Sequence, residues 1–177
     1  MRHIKYLSEF FHCHCIILLV GLILPFFLVL CSPSEVISVP ITQKEYTYDY
    51  SPIELETMSL INDYRVSIGL NKLEINNYVS IKCEEHNNHM LLDYVPCHDA
   101  FISRSDDIMR TIPGVINVSE NVAYNYCSAK SVLTAWLVSP SHKKNIESTN
   151  STHFGISIKV DSLGRKYYTN IFIEIKK

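Results

Sequence analysis

The 177-residue sequence has little net charge, little glycine and no Cys-x-x-Cys pair. Its formal net charge is −2, so the basic patch on which nucleic-acid binding depends is absent. Five glycines leave few flexible linkers, and no segment of the sequence repeats. The lack of a Cys-x-x-Cys pair excludes the usual structural zinc motif. These absences favour one ordinary globular domain.

The N-terminus carries the strongest compositional feature, an uncharged apolar run IILLVGLILPFFLVLC at 16–31, preceded by Arg2 and Lys5. This order is typical of a secretory signal peptide. With residues 13–15 added, the run is also long enough for a retained membrane anchor, and Cys31 is a candidate for lipidation. Each alternative places the rest of the chain on the extracytoplasmic side, secreted or membrane-anchored. We assign 1–31 to this segment, 32–51 to an extended linker and 52–177 to the folded domain.

Three cysteines, Cys83, Cys97 and Cys127, lie beyond the N-terminal segment. An odd number in an oxidising compartment is compatible with one disulfide and a free thiol, or with three buried thiols.

Helical signals dominate the first part of the domain. Pro52 behind Ser51 predicts a helix start, and Gly69 its end. A second helix begins near Asn76 or Asn77, and its apolar face is Val79, Cys83, His86 and Met90. A third spans 103–112, capped by Ser103 or Ser105. A fourth follows Ser128 and ends before Pro140.

Towards the C-terminus, the spacing of apolar residues changes from the helical repeat to alternation. Apolar residues alternate over 153–160 and again over 166–175, with DSLGR between them. This pattern predicts an antiparallel β-hairpin. Helices followed by antiparallel strands indicate an α+β domain.

Several polar residues stand where chemistry is possible, although each alone has an ordinary interpretation. His86 is expected to be a core histidine. His98 follows Pro96 in a loop, where functional groups often lie. Glu120 interrupts an apolar segment, and a buried carboxylate needs partners. His142 follows Pro140, which we expect to stop a helix that Trp136 anchors in the core.

Taken together, these residues fall into an ordered pattern: HDxFxxR at 98–104, SEN around Glu120, AWLxSPSHKxNI at 135–146, then FGIS and YYTNIF. The pattern resembles the CAP superfamily, which comprises cysteine-rich secretory, antigen 5 and pathogenesis-related proteins and is also called the SCP domain. The likeness runs from about Ile53 to Ile175 and is greatest to the short bacterial-type members.

The resemblance implies an α-β-α sandwich with a central cleft. Carried over by motif, His98 and His142 are the two cleft histidines, and Glu120 is the acid. The second acid of the eukaryotic members falls at Ser139, and their usual last-strand glutamine is Asn170. The four-residue version of the site is therefore incomplete.

Two imidazoles and a carboxylate suit more than one chemistry. His98, His142 and Glu120 are possible ligands of Zn²⁺, or Glu120 fixes the tautomer of one ring without a metal. A general acid–base role is also open, but no nucleophile is evident. We therefore favour a non-catalytic binding module for an extracellular ligand, such as a lipid, a peptide or a cell-surface component. The alternative is a hydrolase, metal-assisted or not, that uses His98, Glu120 and His142.

Overall fold

The computed structural model describes residues 45–93 and 95–176, and every structural statement below concerns these residues. The signal or anchor segment 1–31, with the lipidation candidate Cys31, and most of the predicted linker lie outside them. Within the described ranges, no helix has the length and apolar character needed to cross a membrane.

Four strands form one sheet in the described part of the chain: β1 (Glu74–Ile75), β2 (Val115–Tyr124), β3 (His153–Val160) and β4 (Lys166–Ile175). Their order is β1-β3-β4-β2, and only β1 and β3 run parallel. The β3–β4 hairpin has the bounds that the alternation predicts. Strand β2 was not predicted, because the consecutive polar residues Ser119, Glu120 and Asn121 interrupt the alternation of apolar and polar residues that is typical of a strand.

Five helices accompany the sheet: α1 (Pro52–Ser67), α2 (Asn77–Asp93), α3 (Phe101–Thr111), α4 (Ala129–Val138) and α5 (Pro140–Ile146). Helix α4 is capped by the Ser128 hydroxyl, which accepts a hydrogen bond from Ser131 N at 3.2 Å. The predicted cap of α3 is wrong. The helix begins two residues earlier, because Ala100 takes a positive φ of 55° and its carbonyl already accepts from Arg104 N at 3.0 Å.

The helices lie on both faces of the sheet. Helices α1, α4 and α5 share one apolar cluster with β3 and β4, built on Met58, Ile61, Val132, Trp136, Phe154, Tyr168 and Phe172. Helices α2 and α3 share the other with β2 and β4, built on Val79, Cys83, Ile108, Val118, Ile171 and Ile173. This arrangement confirms the α+β class and the three-layered α-β-α sandwich.

Helix α2 packs closely on β3 because Gly155 has no side chain. A Cβ at this position would lie 2.4 Å from Ser80 N. The close approach lets Ser80 Oγ accept a hydrogen bond from Ile156 N at 3.1 Å. Helix α2, which carries His86 and His89, is thereby held at a fixed height above the sheet.

The three cysteines beyond the N-terminal segment are unpaired. Cys83 is buried, Cys97 is half-buried and Cys127 is exposed. Neither expected arrangement is found among the described residues, since there is no disulfide and only one thiol is fully buried.

Candidate functional site

His98 and Glu120, two of the residues singled out in the sequence, are in direct contact. His98 Nδ1 lies 2.9 Å from Glu120 Oε1. The Glu120 side chain is only 2% exposed, whereas that of His98 is 55% exposed. A carboxylate accepts the Nδ1 proton, so this hydrogen bond selects the tautomer of the neutral ring in which Nε2 carries the lone pair.

The second oxygen of Glu120 is held by Arg104 on α3. Glu120 Oε2 accepts from Arg104 Nε at 2.9 Å and from Nη2 at 2.6 Å. Both side chains are buried, so each charge compensates the other where water cannot. Arg104 had no predicted role, although a buried carboxylate predicts a nearby cation. Both Glu120 oxygens are thus occupied by protein donors.

His86 lies beneath this pair, and its burial confirms the predicted core position. Its Nε2 is 2.8 Å from the carbonyl oxygen of Cys97 and 3.8 Å from Glu120 Oε1. Burial is the main cause that lowers the pKa of His86, and Glu120 opposes it. The neutral ring therefore ties helix α2 to the loop that carries His98.

His142 comes from the opposite side of β2. It lies in α5, which begins at Pro140 immediately after α4. Trp136 is 1% exposed and donates from Nε1 to the Val122 carbonyl at 3.3 Å, which confirms it as the core anchor of α4. Among the described residues, the ring of His142 has no hydrogen-bond partner. Burial, and secondly His98, lower its pKa below 6.5.

A cavity of about 380 Å³ adjoins His142. Ser139 lies at the same edge, and its Oγ is 3.3 Å from Ser141 Oγ. The rest of the wall is mainly apolar and aromatic: Pro96, Val122, Ala123, Tyr124, Tyr126, Ala135 and Trp136. Such a cavity suits a small apolar group with a polar end.

Two asparagines join strand β2 to helix α5. Asn121 donates from Nδ2 to the His142 carbonyl at 3.0 Å and accepts from Asn145 Nδ2 at 2.8 Å. Asn121 points toward α5, whereas its neighbour Glu120 points toward α3. The alternation of one edge strand therefore places the two histidines on opposite sides of it.

Asn170, proposed as a cleft residue by motif, is fully buried in β4. Its Nδ2 donates to the Gly155 carbonyl at 2.7 Å, and its Oδ1 has no partner. No hydrogen bond joins it to His98, Glu120 or His142 in the described part of the chain. The structure does not bring Asn170 to the surface of the site.

The donor atoms of His98, Glu120 and His142 do not form a three-ligand group. Among the described residues, only His89, Cys97 and Asp99 bring three such atoms within 4.8 Å of one another. His98 retains a free Nε2, but the two oxygens of Glu120 already accept hydrogen bonds from His98 and Arg104. The carboxylate fits the role of orienting an imidazole better than that of a metal ligand.

Comparison with known proteins shows what this arrangement resembles. Residues 58–172 match the model of the cysteine-rich secretory protein family, CAP. The uncharacterized membrane protein YlbC of Bacillus subtilis is 29% identical over 123 residues. The match covers 68% of this chain, which spans about a third of that relative (34%).

Solved structures share the fold. An outer surface protein from Borrelia burgdorferi superimposes with a TM-score of 0.65 at 21% identity, over 75% of this chain and all of that one. An extracellular SCP-domain protein from Bacillus anthracis gives 0.60 at 21% identity, over 72% of this chain and 45% of that one.

Proposed function

Because the chain belongs to the CAP family of cysteine-rich secretory proteins, we propose that it is an extracytoplasmic binding module whose cavity beside His142 captures a ligand. Its location is supported by the family, by the extracellular SCP-domain neighbour and by the relative described as a membrane protein. The observation that carries the binding role is the mainly apolar cavity that ends at one neutral imidazole.

The cavity defines the chemistry of the ligand. Trp136, Tyr124 and Tyr126 offer aromatic surface, and His142 and Ser139 add polar side chains at the edge besides the tyrosine hydroxyls. A neutral ring donates one hydrogen bond and accepts another. We therefore propose an amphipathic ligand, such as a lipid chain with a polar end or an aromatic peptide side chain.

A hydrolase is less well supported by the geometry. A hydrolytic serine needs a base within hydrogen-bond reach. Ser139 pairs with Ser141, and neither hydroxyl forms a hydrogen bond with an imidazole in the described part of the chain. Glu120 is also poorly suited to act as a base, since Arg104 and His98 occupy its two oxygens.

A metal bound by both His98 and His142 would have to lie at the edge of β2, since Glu120 and Asn121 place the two residues on opposite sides of that strand. His98, whose Nδ1 is held by Glu120, has Nε2 free as a donor, and His142 has a ring without a hydrogen bond. When bound, Zn²⁺ would supply a Lewis acid or a fixed positive charge for an anionic ligand end. Glu120 would then keep the His98 ring in its orientation.

The binding proposal is testable through Trp136, the only tryptophan of the chain. Medium-chain fatty acids and N-acetylated aromatic amino-acid amides are titrated into the full chain while tryptophan emission is followed. We expect a saturable change. Ala135→Leu fills part of the cavity and should weaken binding by about tenfold or more, because the added side chain excludes the ligand.

Thr134→Leu is the matched control, since Thr134 is exposed on the same helix and lines no part of this cavity. Equal binding by the Ala135→Leu and parent chains would show that the cavity is not the site. Turnover of model esters or peptides that disappears in His98→Gln, with the fold retained, would instead support the hydrolase.

A further inference from the structure

A second group of donor atoms lies beside the proposed cleft. His89 of α2 and the loop residues Cys97 and Asp99 bring one nitrogen, one sulfur and one oxygen within 4.8 Å of one another. His89 Nε2 is 3.7 Å from Asp99 Oδ2. Ligand atoms around a tetrahedral Zn²⁺ are about 3.3 to 3.6 Å apart, given the usual bond lengths. Small side-chain rotations therefore bring the three donors to ligation distance.

The loop is built so that its side chains diverge. His98 points to Glu120, while Cys97 and Asp99 on either side of it approach His89. The backbone is held at both flanks: the Cys97 carbonyl accepts from His86, and the Asp99 carbonyl accepts from Arg104 Nη1 at 3.2 Å. These contacts position the loop before any ion binds.

His89 has a nitrogen that the protein leaves unsatisfied. Its Nε2 atom is shielded from solvent and has no hydrogen-bond partner. The carboxylates of Asp93 and Asp99 approach it to 3.6 and 3.7 Å, beyond hydrogen-bond distance. An unsatisfied buried nitrogen costs free energy, which a bound cation between these groups would offset.

The electrostatic surroundings favour a cation. Lys82 pairs with Asp107 at 2.6 Å, Arg110 pairs with the same carboxylate at 2.5 Å, and Arg104 is paired with Glu120. Asp93 and Asp99 have no lysine or arginine partner within the described ranges. A cavity of about 460 Å³ reaches His89 and Asp99 but not Cys97, and its wall also carries Lys82, Arg104 and Arg110, whose charges are compensated by the carboxylates just named.

We propose that His89, Cys97 and Asp99 form a binding site for a borderline divalent cation of the Zn²⁺ class. An imidazole, a thiolate and a carboxylate suit this class and not Ca²⁺ or Mg²⁺, which prefer oxygen ligands. Three protein ligands leave a fourth position for water or for Asp93. The site does not depend on the proposed ligand-binding function, but an ion there would clamp the loop that carries His98.

The experiment uses Co²⁺ as a spectroscopic substitute in the full chain under reducing conditions. Cys13, Cys15, Cys31 and Cys127 are changed to serine, so that Cys97 and the buried Cys83 are the only thiols. We expect one equivalent of Co²⁺ to give a thiolate-to-metal charge-transfer band in the near ultraviolet. Zn²⁺ should displace it, and Mg²⁺ should not.

Variants assign the ligands. Cys97→Ser should abolish the band, and His89→Ala should weaken Co²⁺ binding by more than about a hundredfold, beyond the usual effect of an outer-shell change. Asp99→Asn should weaken it less. These side chains are partly or largely exposed, so the variants are expected to fold. His153→Ala is the control: His153 begins β3, belongs to neither group of donor atoms and should leave the band intact.

Two results would overturn the proposal. One is the absence of a charge-transfer band at saturating Co²⁺. The other is a band that persists unchanged in both His89→Ala and Asp99→Asn, which would mean that a thiol alone captures the ion. Because the cavity beside His142 contains no thiol, failure of either proposal leaves the other standing.

Discussion

His98 and His142 are held in place in opposite ways. The ring of His98 is half-exposed, yet a buried carboxylate fixes its Nδ1, and Arg104 fixes that carboxylate in turn. His142 is positioned through its backbone by Asn121, and its ring stands without a hydrogen bond at the edge of an apolar cavity. The pair is therefore asymmetric: a charged network fixes the orientation of the His98 ring, whereas packing alone positions the ring of His142.

This asymmetry suits the two histidines to different tasks. A ring with a fixed tautomer offers a nitrogen lone pair of defined direction, which can bind a metal or accept a hydrogen bond from a polar ligand group. A neutral ring beside aromatic side chains tolerates ligands of varied shape. The predictions that follow alter one side of the comparison at a time.

The largest effect is expected on the His98 side, from Glu120→Ala. The substitution leaves Arg104, 8% exposed, as an unpaired buried charge. Breaking such a pair costs about 3–5 kcal/mol of unfolding free energy. Denaturant unfolding measures the loss, and the His98 ring resonances should show loss of its fixed tautomer, whereas those of His142 should change little.

The double variant Glu120→Ala, Arg104→Met is the control for this experiment. It removes the stranded charge while keeping apolar volume, so it should be more stable than Glu120→Ala alone. A cost of less than about 1 kcal/mol for Glu120→Ala, the range of an exposed pair, would contradict the view that Glu120 and Arg104 act as a buried ion pair.

A smaller effect is expected from pH on the His142 side. Burial lowers the pKa of His142 and of His86 below 6.5 in the folded state. Below pH 6.5 the unfolded chain binds these protons first, so stability falls until the lower folded pKa values are reached. His142→Gln should flatten part of this fall, and His86→Gln another part.

Urea unfolding at a series of pH values between about 7.5 and 5 measures this slope. Ser141→Ala, next to His142 but without a titrating group, controls for local disturbance. If His142→Gln has the same slope as the parent chain, the His142 ring is not held neutral by its surroundings.

The sequence predicts the fold better than it predicts the site. Periodicity and caps place α1, α2, α4 and the hairpin because these signals are local, whereas the start of α3 was predicted two residues late. Strand β2 was not predicted because Glu120 and Asn121, near its centre, are polar and interrupt the apolar alternation. Their hydrogen-bond partners are distant in sequence, so the sequence pattern does not show why they are polar. For the same reason the roles of Arg104 and His89 were missed: each depends on a carboxylate or a loop brought near by folding.

The smallest effect on stability, and the sharpest on the comparison, is expected from Ser139→Glu. Ser139 occupies the motif position of the second family acid and lines the cavity beside His142. A carboxylate there would give His142 a partner like the one that His98 has. Ser139 is the N-cap residue of α5, but its side chain makes no capping hydrogen bond, so the loss of stability should be about 1 kcal/mol or less. The pKa of His142 should rise because a nearby negative charge favours the imidazolium. Nuclear magnetic resonance titration of the His142 ring measures the shift, and Ser139→Gln supplies the same shape without the charge. An equal shift in both variants would mean that side-chain volume, and not charge, sets the state of His142, and the contrast between the two histidines would then rest on packing alone.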